Sequence, residues 1–160
     1  MGAAHRDVPE ATDMSGQWMA PPGDGRTVMP VGDAWDVVEV PAMMAAWVCQ
    51  LRHVEAPAIV DPRYDRAWWL IPRGSVDPAS WLWQRLQPTV VVRATGSLAV
   101  PHASRTEGLR WARPRYWHGA YLAQPQRLAA VLNVLRNASD LFRASVPPFH
   151  ARGGTDAGPG

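Results

Sequence analysis

Residues 34–54 read AWDVVEVPAMMAAWVCQLRHV, and the change of pattern at Pro41 decides how the chain folds. Before it, Trp35 to Val40 have the β-branched and aromatic content of a strand. Pro41 cannot donate to a sheet ladder but suits the first turn of a helix, so the strand stops there and a helix begins. That helix is expected over about 42–54. At about 100° per residue, Met43, Met44, Trp47, Val48, Leu51 and Val54 fall on one arc about 140° wide, while Cys49, Arg52 and His53 face away. The arc is the expected buried face, and Cys49 is expected to be an exposed or rim thiol.

The pattern continues on both sides. Ala58-Ile59-Val60 and AWWLIP at 67–72 read as strands joined through the turn Asp61-Pro62-Arg63-Tyr64-Asp65, as hairpin neighbours. Asp77 and Pro78 form a cap and first-turn pair for a short helix carrying Trp81, Leu82 and Leu86. Two strands, 89–95 and 97–101, bend at Gly96, and a short strand lies around Leu109-Arg110-Trp111. The last helix covers about 125–137 with Leu128, Val131, Leu132 and Leu135 as its stripe, and 138–149 adds an amphipathic turn around Leu141-Phe142. Strands and helices mix without regular βαβ alternation. The expected fold class is therefore α+β, a small mixed or antiparallel sheet packed by two or three helices. Residues 1–32 read as an irregular acidic leader, 33–149 as the domain, and 150–160 as a Gly-rich disordered tail.

The 160 residues hold nine Trp against three Tyr and two Phe, so a few large side chains could anchor one compact core. All 16 basic residues are Arg. With abundant Ala, Gly and Pro, that bias looks like GC-rich coding rather than selection for nucleic acid. Residues 1–40 carry a balance of −5 and residues 41–160 one of +7, which fits an interaction tail, self-masking of a basic surface, or a solvated leader. Cys49 is the only cysteine, so no internal disulfide and no cysteine-based metal cluster can form. The chain has no secretory pattern and no apolar run of spanning length, and a cytoplasmic, non-membrane protein is expected.

Catalytic chemistry is poorly represented. The five His are scattered, no phosphate-binding glycine loop is present, and Asp36 and Glu39, three apart on a strand, point to opposite faces. Asp61 and Asp65 flank a turn, where Asp is favoured for local backbone hydrogen bonds. No catalytic residue, metal or cofactor is assigned. The segment from Arg93 to Arg115 stands out because it interleaves five Arg with Trp111, Tyr116 and Trp117 against one acid, Glu107. Arg pairs with phosphate and aromatic rings stack on unpaired bases, so this mixture suits a nucleotide or single-stranded nucleic acid. The other reading is a solvated basic rim over a Trp core, which the Arg bias and Trp richness of the whole chain would generate by themselves.

The stretch VVVRATGSLAVPHASRTEGLRWARP (90–114) resembles the closing signature of the bifunctional DNA primase/polymerase N-terminal domain, in the archaeo-eukaryotic primase superfamily. Arg93, Gly96, Leu98, Val100, Pro101, Ser104, Gly108 and Trp111 match in order. YDRAWWLIP (64–72), AWDVVEVPA (34–42) and YLAQPQRLAAVL (121–132) are similar to flanking segments of short members, so the resemblance spans about 34–136. It implies a small sheet domain with a nucleotide or nucleic-acid surface. Active members hold two divalent ions through an Asp-x-Asp pair, a His motif and a further acid, and here there is no Asp-x-Asp and no His around Trp68 and Trp69. The expected function is a catalytically silent primase/polymerase-like domain. It would bind nucleotide or single-stranded DNA through Arg93, Ser104, Arg110, Arg113 and Arg115, with Trp111 or Tyr116 as the stacking face. The alternatives are a regulatory protein-interaction module with its own protein partner, and an enzyme with displaced metal ligands.

Overall fold

The computed structural model describes residues 17–51, 53–77 and 80–145. Among the described residues seven strands form two antiparallel sheets, with three helices among them, so the protein is α+β. The strands are β1 (Arg26–Pro30), β2 (Trp35–Pro41), β3 (Ala58–Asp61), β4 (Arg66–Pro72), β5 (Val91–Arg93), β6 (Ser97–Pro101) and β7 (Arg110–Ala112). The helices are α1 (Ala42–Gln50), α2 (Trp81–Gln84) and α3 (Pro125–Ser145). The main sheet runs β5-β2-β4-β3-β7, and β1 with β6 makes a separate ribbon. From β2 to β5 the chain runs βαββαβ, and the last strand of each half, β3 or β5, flanks the pair β2–β4, the order of a split βαβ unit. No helix among the described residues is long and apolar enough to cross a membrane.

Register assigns the two faces. Val38 pairs with Trp69 and Val92, and Val40 with Ala67, so these side chains share the face on which the helices lie. There Val38, Val40, Trp69 and Ile71 pack with Val48 of α1, Trp83 of α2, and Leu128, Leu132 and Leu135 of α3. Val37 pairs with Leu70 and shares the opposite face with Trp35 and Ile59. That face is covered by Leu98 and Val100 of the ribbon together with Trp18, Trp111 and Tyr121. The result is three layers, helices over sheet over ribbon. The central strand β2 is buried at every position except Glu39 and Pro41, which are half-buried.

The ribbon is tied on by two glycines. Gly32 (φ +96°) turns the chain from β1 into β2, and Gly96 (φ +95°) turns it from β5 into β6. These crossovers sit side by side, because Val31 N–H donates to Gly96 C=O at 2.9 Å. A Cβ on Gly32 would lie 2.1 Å from the carbonyl oxygen of Ala94, so a side chain has no room.

Several expectations hold. The hairpin β3–β4 forms in antiparallel register, β2 ends at Pro41, and the α3 stripe Leu128, Val131, Leu132 and Leu135 is buried. Others are corrected. Within the leader expected to be irregular, residues 26–30 form β1, an edge strand held by a partner about 70 residues away in sequence, as the pairing of Arg26 with Pro101 shows. Residues 1–16 of the leader and the tail at 150–160 lie outside the described residues. Helix α1 stops at Gln50 and rotates away from its apolar arc. It buries Ala45 and Val48, while Met43, Trp47 and Leu51 stay exposed. Small residues are what the close approach to the sheet admits. Ser80, not Asp77, caps α2, its hydroxyl accepting from Leu82 N–H at 3.3 Å; the helix spans Trp81–Gln84 and buries Trp83, while Trp81 is exposed and Leu86 is buried just beyond its end. Helix α3 continues through Ser145 with Leu141 exposed, so no separate turn begins at 138.

Gly32→Ala should lower stability in urea denaturation by more than the about 1–3 kcal/mol of backbone strain alone. Gly74→Ala, at φ +81° with nothing within 4 Å, should lose the strain only. Equal losses for both would show that the crossover does not depend on the missing side chain.

Candidate nucleic-acid interface

The sheet register separates the arginines that the sequence groups. Arg93 on β5 pairs with Val37, so it sits on the ribbon side of the sheet. Arg110 on β7 pairs with Val60, which pairs with Ala67, so it sits on the helix side. Strands β5 and β7 are the two edges of the five-stranded sheet, roughly 19 Å apart at ordinary strand spacing. Ser104 lies in the exposed turn after β6, its N–H given to Gly23 C=O at 2.8 Å. Trp111 is not a stacking face, because it is 5% exposed, donates its Nε1–H to Pro101 C=O at 2.9 Å and packs edge-on against Tyr121. As the central residue of β7 it points to the ribbon side, while its neighbours Arg110 and Ala112 point away.

Two further arginines act as staples. Arg105 donates Nε–H to Leu109 C=O at 2.8 Å and a terminal N–H to Asp24 C=O at 3.0 Å, pinning the chain before β1 to the turn before β7. Arg113 donates to Ala103 C=O and lies over the Trp117 ring, 5.0 Å from its centroid. Loop carbonyls would otherwise lack donors, and a planar guanidinium supplies several at once.

The ribbon does not cover the whole sheet. Beyond it a hollow of about 490 Å³ opens, lined by Glu39, Asp61, Arg66, Trp68, Arg93 and Ser97 among others. The β2, β3 and β4 residues at this end, Glu39, Asp61, Arg66 and Trp68, all point to the ribbon side, as the pairing of Glu39 with Trp68 and of Asp61 with Arg66 requires. Trp68 is half-buried and donates its Nε1–H to Glu39 Oε1 at 2.9 Å, which fixes the plane of its ring. Neither Arg66 nor Arg93 forms an ion pair with a carboxylate among the described residues. Arg66 and Trp68 were not singled out from the sequence. Their signal is the alternation Arg66, Trp68, Leu70 along β4, hidden inside a run that is apolar on both faces.

The acids here do not suit the pair of divalent ions that the resemblance implies. Glu39 is engaged by Trp68. Asp61 accepts from Arg63 through both carboxylate oxygens, at 3.1 and 2.8 Å, and from the Arg63 N–H at 3.0 Å. Strand β4 also separates the two acids, so they lie roughly 10 Å apart. Asp36 points to the helix side, where its Oδ2 accepts from the Gly74 and Val76 N–H groups at 3.0 and 3.2 Å. Among the described residues no group of three His, Cys, Asp or Glu could hold a metal ion.

On the helix side, two hollows of about 560 and 500 Å³ adjoin at Cys49, one between α1 and β7 and the other between the end of α1 and the segment after β7, and together are termed the trough. Arg110 lines one part, and Arg113, Arg115, Tyr116 and His118 line the other. Three of the four arginines proposed as phosphate contacts are thus brought to one trough, and Arg93 is on the far side of the sheet. Cys49 is half-buried, with its Sγ 3.6 Å from Ala112 C=O, and burial pushes its thiol pKa up. Comparison of the chain with family models, curated proteins and solved structures finds no match.

The Arg63 guanidinium beside Asp61 holds its carboxyl below the usual carboxylate range. A carboxyl depressed on folding contributes stability that is present above its unfolded pKa, about 3.9, and lost as pH falls through the lower folded value. Asp61→Asn should therefore be less stable than wild type in urea at neutral pH, and the gap should close below about pH 4. A gap unchanged across that range would show that the pair contributes nothing to the folded state.

Proposed function

We propose that the domain binds a nucleotide or single-stranded nucleic acid in the ribbon-side hollow, with no metal-dependent catalysis of its own. One observation carries this reading: two guanidiniums without carboxylate partners among the described residues, Arg66 and Arg93, line the same hollow as the half-buried indole of Trp68. A guanidinium takes a phosphate bidentately, and a ring held by a hydrogen bond at its edge offers a preorganised face for a base. About 490 Å³ lies within the usual range for small-molecule sites. Split βαβ sheets that bind RNA use aromatics on the sheet face away from the helices. Here the ribbon covers most of that face and leaves the Trp68 end open. The resemblance to primase/polymerase domains also implies a nucleotide surface. The engaged state of Glu39 and Asp61 supports the non-catalytic half of the reading.

Fluorescence anisotropy with labelled oligo(dT) at about 50 mM salt tests it. Affinity should fall steeply as salt rises, and Arg66→Ala and Arg93→Ala should each reduce the salt slope by about one. Trp68→Ala should weaken binding by about 1–3 kcal/mol, and Trp68→Phe by less. Absence of binding at low salt, or wild-type affinity in both arginine variants, would reject the site. Template-dependent incorporation in the presence of magnesium or manganese would reject the non-catalytic half.

A further inference from the structure

The opposite side of the sheet carries a second surface of different character. On α1 and its C-cap residue, Met43, Trp47 and Leu51 are 66%, 47% and 38% exposed. Spaced at i, i+4 and i+8, they form one crest along the helix, away from the buried Ala45 and Val48. Large apolar side chains in a row on a helix that already buries its other face mark an interaction surface more often than chance exposure does. The crest runs into the trough at Leu51, which lines it together with Val54.

The other wall of the trough is cationic. Arg113 is fixed by Ala103 and Trp117, so its charge is held at the rim, and Arg110 and Arg115 lie on the same wall. Of the acids nearby, Asp61 is paired with Arg63 at 2.8 Å, and Glu55 lies 3.9 Å from Arg127 as an exposed pair, leaving Glu55 and Asp65 against three arginines.

From this juxtaposition we infer that the trough and the α1 crest together dock an acidic, amphipathic peptide segment of a protein partner. The apolar side of the segment lies on Met43, Trp47 and Leu51, and its carboxylates meet Arg110, Arg113 and Arg115. Charge complementarity selects an acidic occupant, and the aliphatic side chains Met43 and Leu51 select a peptide over a phosphate–sugar backbone. Trp and Arg side by side are the residue types that most often dominate such interfaces. This surface shares neither Trp68 nor Arg93 with the proposed nucleotide site, so either can fail without the other.

The full chain is titrated with a fluorescein-labelled peptide carrying Glu on one helical face and Leu at i, i+4 and i+8 on the other. Two controls replace every Glu by Lys or every Leu by Ser. The Glu/Leu peptide should bind at least about tenfold more tightly than either control. Trp47→Ala and Arg115→Glu should each weaken it about tenfold at an unchanged melting temperature, while Trp68→Ala and Arg93→Ala bind it as wild type does. Equal binding of the Glu and Lys peptides, or wild-type affinity in both trough variants, overturns the inference. Oligo(dT) that displaces the peptide and itself depends on Trp47 and Arg115 would overturn it in favour of nucleic acid. Peptide binding gained only on removal of residues 1–16 would overturn it in favour of the chain's own acidic leader.

Discussion

Burial of the β2–β4 pair on both faces is the constraint from which the rest of the architecture follows. An antiparallel sheet usually covers one face and alternates polar with apolar residues. Here Val37 and Leu70 need cover as much as Val38 and Trp69 do, and the three helices all pack on the other face. The ribbon β1–β6 supplies the missing layer with only ten residues of strand. It requires the chain to leave the sheet twice, and the two departures are joined by the bond from Val31 N–H to Gly96 C=O. Where the ribbon ends, the sheet is open, and the half-buried pair Glu39 and Trp68 lies there.

The tryptophans and arginines follow from the same constraint. Trp35, Trp69, Trp83 and Trp111 are buried, and Trp18, Trp68 and Trp117 half-buried, so one side chain per contact fills each of the two cores. The ribbon layer needs long irregular connections, and their carbonyls need donors. Arg105 and Arg113 meet that need, which is why a segment dense in arginine is less available to a ligand than its composition suggests. In the ribbon-side hollow Arg66 and Arg93 donate to no carbonyl among the described residues, whereas Arg110 and Arg113 on the helix side each give one donor to a carbonyl and keep the others.

What was legible in the sequence was local. Pro41 ended β2, the Asp61–Asp65 turn joined β3 to β4, and the 3.6-residue stripe from Leu128 to Leu135 placed α3 against the core. Strand β1 was not legible, because Arg26–Pro30 has a strand's length but its partner is β6, far along the chain. The buried face of α1 was misread for a related reason. An apolar arc states which residues could be buried, whereas the distance to the sheet decides that Ala45 and Val48 are. The site suffered most. Arg93 and Arg110 are near in sequence but face opposite sides of opposite edges, and only register could separate them.

The Asp61–Asp65 turn belongs to both surfaces, since Asp61, Arg63 and Tyr64 line the ribbon-side hollow and the helix-side trough alike. An unpaired carboxylate there would place a negative charge in both. Its bidentate bond to Arg63 makes the pair nearly neutral at either wall, so the sign of each surface is set by its own arginines. The same bond closes the turn, because Asp61 also accepts the Arg63 N–H. One local ion pair therefore shapes the end of the sheet and stands in the lining of both hollows.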